Sequence, residues 1–389
     1  MCPSITSARF PATRTMIERL GATSRKTQRR FKPRSFFGML EDNAGPSWVE
    51  HVRGDQWSQW PKGCREEFLD LAVTYWQRKG FPYYHLSPQQ IRRELQLLTQ
   101  SNPKRIFRRN NLIASGTGLR LANYFHPQMW HVRCTRYLSP YETFCLRDRL
   151  RAAMAKSMRI WPDRYGARGA TLRRMLRSFS NTVGVSNFRP TAARAIIDRY
   201  SPPGGHVLDF SAGYGGRLLG ALTLGRYYVG IDPCKAQVRG LRAMIKTCVP
   251  YLPRAERGEI ILGAAEDVLG HYKTGSFDLV FSSPPYFNRE KYGAEPEQSF
   301  IRYPSLDLWL NGFLRVVLFE SARILRTGGR LVLNIGTRPR CLPSFVREYL
   351  GSALRLQKTI NLQLAKLPYK KQGPKDAYKV EPILVFQKV

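Results

Sequence analysis

Acidic residues are scarce in this chain. Only 28 Asp and Glu stand against 63 Lys and Arg in 389 residues, a formal net charge of +35 with a pI near 10.4. Solubility needs far less, so the imbalance implies a polyanionic partner. Long apolar runs are missing too: none approaches the ~18 residues of a spanning helix, and there is no secretory apolar core. Membrane lipid is thereby disfavoured as the polyanion, and nucleic acid is left. Cysteine is sparse and unpatterned. Cys2, Cys64, Cys134, Cys145, Cys234, Cys248 and Cys341 form an odd, scattered set with no C-x-x-C pair. That spacing argues against a disulfide framework or a structural metal site, and it fits a reducing compartment. A cytoplasmic, nucleoid-associated location is expected, although the basic N-terminus also has the composition of an organelle transit peptide.

What is present is enough for a core. A hydrophobic content of 43% with 12% aromatics fits a globular chain rather than a disordered one, and the length suits two domains. Residues 1–180 carry 33 basic and 12 acidic side chains, and residues 181–389 carry 30 and 16, so the first half is the more basic. Residues 1–40, where Glu18 is the only acid, show no helical or strand period and read as a flexible basic arm.

Residues 41–180 read as a mainly helical, basic, nucleic-acid-binding region. Phe68, Leu69, Leu71, Ala72, Tyr75 and Trp76 recur at helical spacing. Ser87-Pro88-Gln89-Gln90 has the form of an N-cap, an N1 proline and a capping-box glutamine, opening a helix through Leu98. Ser139-Pro140-Tyr141-Glu142 repeats the device ahead of a helix expected to run to about Arg159. Arg147, Arg149, Arg151, Lys156 and Arg159 lie on it, with Arg173, Arg174 and Arg177 beyond. Few acids are near to pair them, which favours phosphate contact.

After Asn181 apolar strands and helices alternate. Strands are expected at His206–Phe210, Tyr227–Ile231, Glu259–Leu262, Phe277–Phe281 and Arg330–Ile335, with helices near Arg217–Leu224, Lys235–Thr247 and Leu306–Leu325. Such alternation means an α/β fold, a parallel sheet with helices on both faces. The last two strands, near Leu354–Asn361 and Pro382–Lys388, lack an obvious helix between them and suit an antiparallel pair at one sheet edge.

Two loops carry the chemistry. The first is Ser211-Ala212-Gly213-Tyr214-Gly215-Gly216, between a strand ending near Asp209 and a helix opening near Arg217. Its glycines let the backbone turn and approach a ligand that a Cβ would block. Asp232, 23 residues beyond Asp209, closes the next strand, where an acid usually grips a ribose diol. A dinucleotide would want a third glycine at position 218, which is Leu. Asp209 at the strand end would repel a pyrophosphate yet accept from an ammonium. Both details favour S-adenosylmethionine over NAD.

The second loop is Ser283-Pro284-Pro285-Tyr286, after the strand Phe277–Phe281. A Ser hydroxyl and the Pro284 carbonyl can accept both hydrogens of an exocyclic amine, and Tyr286 offers a face for stacking a ring. An aryl amine is a poor nucleophile because its lone pair is delocalised into the ring. Accepting its hydrogens draws the nitrogen toward tetrahedral geometry and frees the pair for attack on a sulfonium methyl. Positioning and electrostatics then suffice, with no covalent intermediate.

These residues resemble the amino-methyltransferase family, S-adenosylmethionine-dependent enzymes that methylate exocyclic base amines through an (Asp/Asn/Ser)-Pro-Pro-(Tyr/Phe) motif. The Ser form is most similar to DNA cytosine-N4 enzymes and is shared by some adenine-N6 enzymes. The resemblance covers about residues 181–389. It implies a Rossmann-like methyltransferase sheet, with catalysis at Ser283, Pro284, Pro285 and Tyr286. It further implies that Asp209, Ser211, Gly213 and Gly215 line the methionine part of the cofactor and that Asp232 binds ribose. Glu266 or Asp267, in GAAEDV, would meet the adenine amine. Asn187, Phe188 and Thr191, in SNFRPTAARAII, would close over the methionine carboxylate. DNA methylation of the restriction–modification kind is the implied setting. The glycine loop reads FSAGYGG where many members have PFxGxG. A Pro-Cys pair of the kind cytosine-C5 enzymes use occurs at Pro233-Cys234, but beside the ribose acid and not at the catalytic strand.

An amine inside a duplex is out of reach, so such enzymes flip the target base at a cost of about a few kcal/mol, which phosphate contacts offset. Double-stranded DNA is the expected partner, with RNA ranked behind it. The basic first half, the loop Asn288–Tyr303, and the stretch Leu362–Tyr378 with its interleaved lysines and tyrosines are the candidate contact regions. Cytosine N4 ranks ahead of adenine N6. An RNA base methyltransferase and a non-catalytic nucleic-acid-binding protein are the rival readings.

Overall fold

The computed structural model describes residues 47–389, apart from 135, 162, 179–181, 183, 253–257, 337–338, 340 and 367–377. The arm expected at 1–40, and Tyr369, Lys370, Lys371 and Lys375 of the lysine–tyrosine stretch, lie outside the described residues. The described residues fall into two compact units, one of 47–83 with 130–185, the other of 84–129 with 186–389. That division differs from the linear one, because residues 84–129 go with the sheet-bearing unit.

In the first unit the helix Lys62–Lys79 buries Phe68, Leu69, Ala72, Tyr75 and Trp76 on one stripe. Glu50 ties its C-terminal end down, accepting from Tyr75 Oη and Lys79 Nζ at 2.6 Å each. The capping box of Ser139 and Glu142 forms, but the helix it opens stops at Cys145. Leu146 is extended (φ −85°, ψ 108°), and a second helix, Arg147–Ile160, follows. Its charge is not all free for phosphate: Arg151 pairs with Glu66 and Asp70, and Arg147 with Asp70. Acids on Lys62–Lys79 supply partners that the local sequence lacks.

In the second unit the capped helix α1 (Pro88–Gln100) presents Ile91, Leu95 and Leu98 inward. A short hairpin follows, β1 (Phe107–Arg108) and β2 (Asn111–Leu112). Then come α2 (Leu119–Tyr124), α3 (Pro190–Tyr200), β3 (His206–Asp209), α4 (Gly216–Leu222), β4 (Tyr227–Asp232), α5 (Lys235–Cys248), β5 (Glu259–Leu262) and α6 (Ala265–Val268). Next are β6 (Phe277–Ser282), α7 (Arg315–Ile324), β7 (Leu325–Asn334), α8 (Leu342–Leu350), β8 (Arg355–Lys366) and β9 (Tyr378–Gln387). The helix expected at Leu306–Leu325 is interrupted by a π turn at Leu310–Leu314.

Among the described residues one nine-stranded sheet runs β1-β2-β8-β9-β7-β6-β3-β4-β5. Strands β3 to β7 are parallel, whereas β9 is antiparallel to both β7 and β8. This is a Rossmann-like α/β sheet with an antiparallel C-terminal pair. The pair is not the bare edge: β2 adds to β8 in parallel, Asn361 opposite Asn111, and so covers backbone groups that would stand unpaired.

Side chains alternate between the two faces, as strand pleating requires. Val207, Leu279, Phe281 and Val332 pack on one side with α1, α3, α4 and α5. Leu208, Val280, Leu331 and Leu333 pack on the other with α6, α7 and α8. Ile91, Leu95 and Leu98 share the first of these cores with Ile196 and Leu222, which is why residues 84–129 belong to this unit. Among the described residues no helix is long and apolar enough to cross a membrane.

Candidate active site

The glycine loop leaves the carboxyl end of β3. Gly213 (φ 58°) and Gly215 (φ 76°) hold left-handed conformations that strain any residue with a Cβ. A Cβ on Gly216 would lie 1.9 Å from the Phe188 carbonyl oxygen, so α4 packs there only because the residue is glycine. At Gly213 the surroundings are open, the nearest atom to an added Cβ being Ser211 O at 3.8 Å. Asp232, at the end of β4, holds this loop: one carboxylate oxygen accepts from Gly213 N–H and the other from Cys234 N–H, both at 2.9 Å. Burial pushes the Asp232 pKa up to about 7, against the pull of those two amides. Burial also lifts the neighbouring Cys234 thiol to about 11, so it is no thiolate nucleophile at neutral pH.

Asp209 does not offer itself to a ligand. It is fully buried. Arg217 Nε donates to its Oδ2 at 2.5 Å, Tyr228 Oη to Oδ2 at 2.7 Å, and Ser282 Oγ to Oδ1 at 2.8 Å. Ser211 N–H and Arg217 Nη2 also reach Oδ1, at 3.2 and 3.3 Å. A carboxylate has about four lone-pair sites, and these donors occupy them. The expectation that Asp209 receives a cofactor ammonium is therefore corrected: the residue is a strut joining the glycine loop, through Arg217 and Ser211, to Ser282 at the end of the strand that leads into Ser283. Arg217, at the start of α4 where a cation is disfavoured by the helix dipole, was the sequence signal for that partner.

Asn187 and Thr191 are similarly committed. Asn187 accepts from Gly216 N–H (3.2 Å) and donates to Tyr214 O (2.8 Å), so it holds the loop backbone from behind. Thr191 donates to Ser115 O at 3.0 Å and is buried. Phe188 lies edge-on to Phe281, with the Arg217 guanidinium 5.7 Å from its ring. Glu266 and Asp267 open α6, after β5, and Arg302 pairs with both. The Glu266 side chain is the buried one, 5% exposed against 54% for Asp267, and burial raises its pKa.

The Ser283-Pro284-Pro285-Tyr286 loop leaves the carboxyl end of β6, which lies directly beside β3 in parallel, Val207 opposite Leu279 and Leu208 opposite Val280. Both loops thus open at the same end of adjacent strands, where open α/β sheets bind ligands. Tyr286 is buried, and burial together with Glu381 raises its hydroxyl pKa. Its ring needs Gly336, where a Cβ would lie 2.6 Å from Tyr286 Cε2. Phe287 follows with φ 58°, a strained value for a non-glycine residue and one common at functional loops.

Residues that the sequence reading did not single out complete the site. Asn334, at the end of β7, donates from Nδ2 to Ser283 Oγ (3.2 Å), Tyr286 Oη (3.1 Å) and Glu381 Oε2 (3.4 Å). Glu290 is mostly buried, and burial lifts its carboxyl to about 7, with Glu381 adding to the rise and Arg289 opposing it. A lone Asn closing the apolar run Leu331-Val332-Leu333 was the signal for Asn334.

No protein-family model matches the sequence, and no curated protein matches it. Among solved structures it is similar to TrmN from Thermus thermophilus, at 16% identity over 51% of this chain and 49% of that one, with a TM-score of 0.36. The chain thus spans about half of that protein's length. An S-adenosylmethionine-dependent methyltransferase from Methanosarcina mazei is similar at 14% identity over 50% of this chain and 97% of its own, TM-score 0.36. The tRNA (m1A58) methyltransferase TrmI from Aquifex aeolicus is similar at 11% identity over 53% and 71%, TM-score 0.35.

Proposed function

We propose that the chain is an S-adenosylmethionine-dependent DNA methyltransferase acting on the exocyclic amine of a flipped base, N4 of cytosine first. The observation that carries this reading is the bond from Ser282 Oγ to Asp209 Oδ1, 2.8 Å, which joins the catalytic strand to the glycine loop at one end of the sheet. A donor held at one loop and an acceptor held at the other are then neighbours.

The residues fit the cofactor. The open space before Gly213 suits a ligand lying on the loop backbone. Asp232 spends one lone pair of each oxygen on an amide, which leaves others for ribose hydroxyls. Glu266, the buried acid of its pair, suits the adenine amine. When bound, the cofactor supplies an electrophilic methyl on a sulfonium. The protein's part is positional. Ser283 Oγ and the Pro284 carbonyl accept the amine hydrogens, Tyr286 stacks on the ring, and the Asp209–Arg217 pair keeps the two loops in register. The +35 charge holds the phosphates while the base leaves the stack.

Mass-spectrometric nucleoside analysis of DNA and RNA, from cells expressing the chain or its Ser283→Ala variant, tests the reading. N4-methylcytosine in DNA, absent with Ser283→Ala, is the expected result. N6-methyladenine would reassign the base, and a methylated base in RNA alone would reassign the nucleic acid. No new methylated nucleoside in either, with the protein folded and expressed, would overturn the proposal.

A further inference from the structure

Asn334 carries an unexplained atom. The residue is 4% exposed, its Nδ2 serves Ser283, Tyr286 and Glu381, and its Oδ1 has no hydrogen-bond partner. Nδ2 is the end of the amide that faces Glu381 Oε2, an acceptor. The free atom is therefore the carbonyl oxygen. A buried amide oxygen without a partner costs about 1–3 kcal/mol, and such groups are rare enough in native proteins to call for an explanation. Here the orphan shares an amide with the nitrogen that touches both Ser283 and Tyr286.

We propose that Asn334 Oδ1 contacts the substrate, accepting one hydrogen of the exocyclic amine at Ser283 and Tyr286. This rests on the reading of that site as a base-amine pocket and puts Asn334 Oδ1 in place of Ser283 Oγ as the acceptor of one amine hydrogen. Ser283 Oγ already accepts from Asn334 Nδ2, which weakens it as an acceptor for a second donor. The amide carbonyl is the stronger acceptor and is unspent. The amine then gives one hydrogen to the Pro284 carbonyl and the other to Asn334 Oδ1, with Ser283 holding the amide in place. A carbonyl in the position of the amine would instead set two acceptors against each other, so the residue discriminates cytosine from uracil.

The test is binding by the full chain to short abasic strands that carry a single cytosine or a single uracil, followed by fluorescence anisotropy. Phosphate contacts are the same in both strands, so the affinity ratio reports the base alone. The wild type should prefer cytosine, and Asn334→Leu should reduce that preference at least tenfold, weakening cytosine-strand binding and relieving the clash of acceptors with uracil. Asn334→Ala carries the same expectation should the Leu variant not fold. Asn334→Asp places a carboxyl beside Glu381, where like charge keeps it protonated. It then donates to Glu381 as the amide does and retains a carbonyl oxygen, so the preference should survive within about threefold. Retention of the full preference in Asn334→Leu or Asn334→Ala, or its loss in Asn334→Asp, overturns the proposal. Tritiated-methyl transfer separates the levels. Wild-type transfer with an unaltered preference in the variants defeats the Asn334 contact alone. A wild type that neither transfers methyl nor prefers cytosine defeats the base-amine pocket as well.

Discussion

Arg217→Met should be one of the most damaging single changes near the site, for a reason that has nothing to do with ligands. Asp209 is fully buried and Arg217 is 7% exposed, so the pair lies in low dielectric. Removing the guanidinium leaves a buried carboxylate, and breaking such a pair from one side costs about 3–5 kcal/mol. Three neutral donors remain, Tyr228 Oη, Ser282 Oγ and Ser211 N–H, which places the loss near the lower figure, about 3 kcal/mol. For a unit of this size that is a fall in Tm of about 6–12 °C. Asp209→Asn in the Arg217→Met background removes the stranded charge, so the double variant should recover part of the loss. The cycle measured by urea unfolding should show a coupling of about 2 kcal/mol or more. A Tm within 2 °C of wild type for Arg217→Met, or additive effects in the double variant, would refute the strut.

Other outcomes follow from the same geometry. Ser283→Ala and Tyr286→Ala should sharply reduce methyl transfer while cofactor binding, followed by calorimetry, stays close to wild type; loss of binding in both would mean the catalytic loop is misassigned. Gly213→Ala adds a Cβ in the open space before the loop and a positive-φ strain of about 1 kcal/mol, so cofactor affinity should fall further than stability does. Burial lifts the Glu290 carboxyl to about 7 in the fold, against an ordinary value of 4.5. The folded state therefore binds more protons between those values, stability falls as pH rises through that window, and it stays lower above it. Glu290→Gln should be neutral near pH 4 and stabilising by up to about 3 kcal/mol at pH 8 in urea unfolding. A benefit independent of pH would contradict the burial of that carboxyl.

The sheet was legible because its strands are short apolar runs ended by Gly, Pro or Asp; Glu259–Leu262 matches the expected range residue for residue. The capping boxes at Ser87 and Ser139 were legible for the same local reason. Partner choice was not local. The stripe of Ile91, Leu95 and Leu98 announces a buried face but not which core receives it. Leu146 breaks a helix that periodicity alone continues. The glycine and Ser-Pro-Pro-Tyr loops declared themselves by composition, yet the role of Asp209 turned on Tyr228 and Ser282, distant in sequence and adjacent in the sheet. Asn334 and Glu381 meet the Ser-Pro-Pro-Tyr loop only because β7 and β9 pair, Asn334 opposite Ile383.

The most direct test of the account is transfer of tritium from methyl-labelled S-adenosylmethionine to purified DNA and RNA, with the label then traced to individual nucleosides. The account predicts counts in N4-methylcytosine from DNA, abolished by Ser283→Ala. Counts on a ring carbon, or none in either nucleic acid from a folded protein that binds the cofactor, would contradict it.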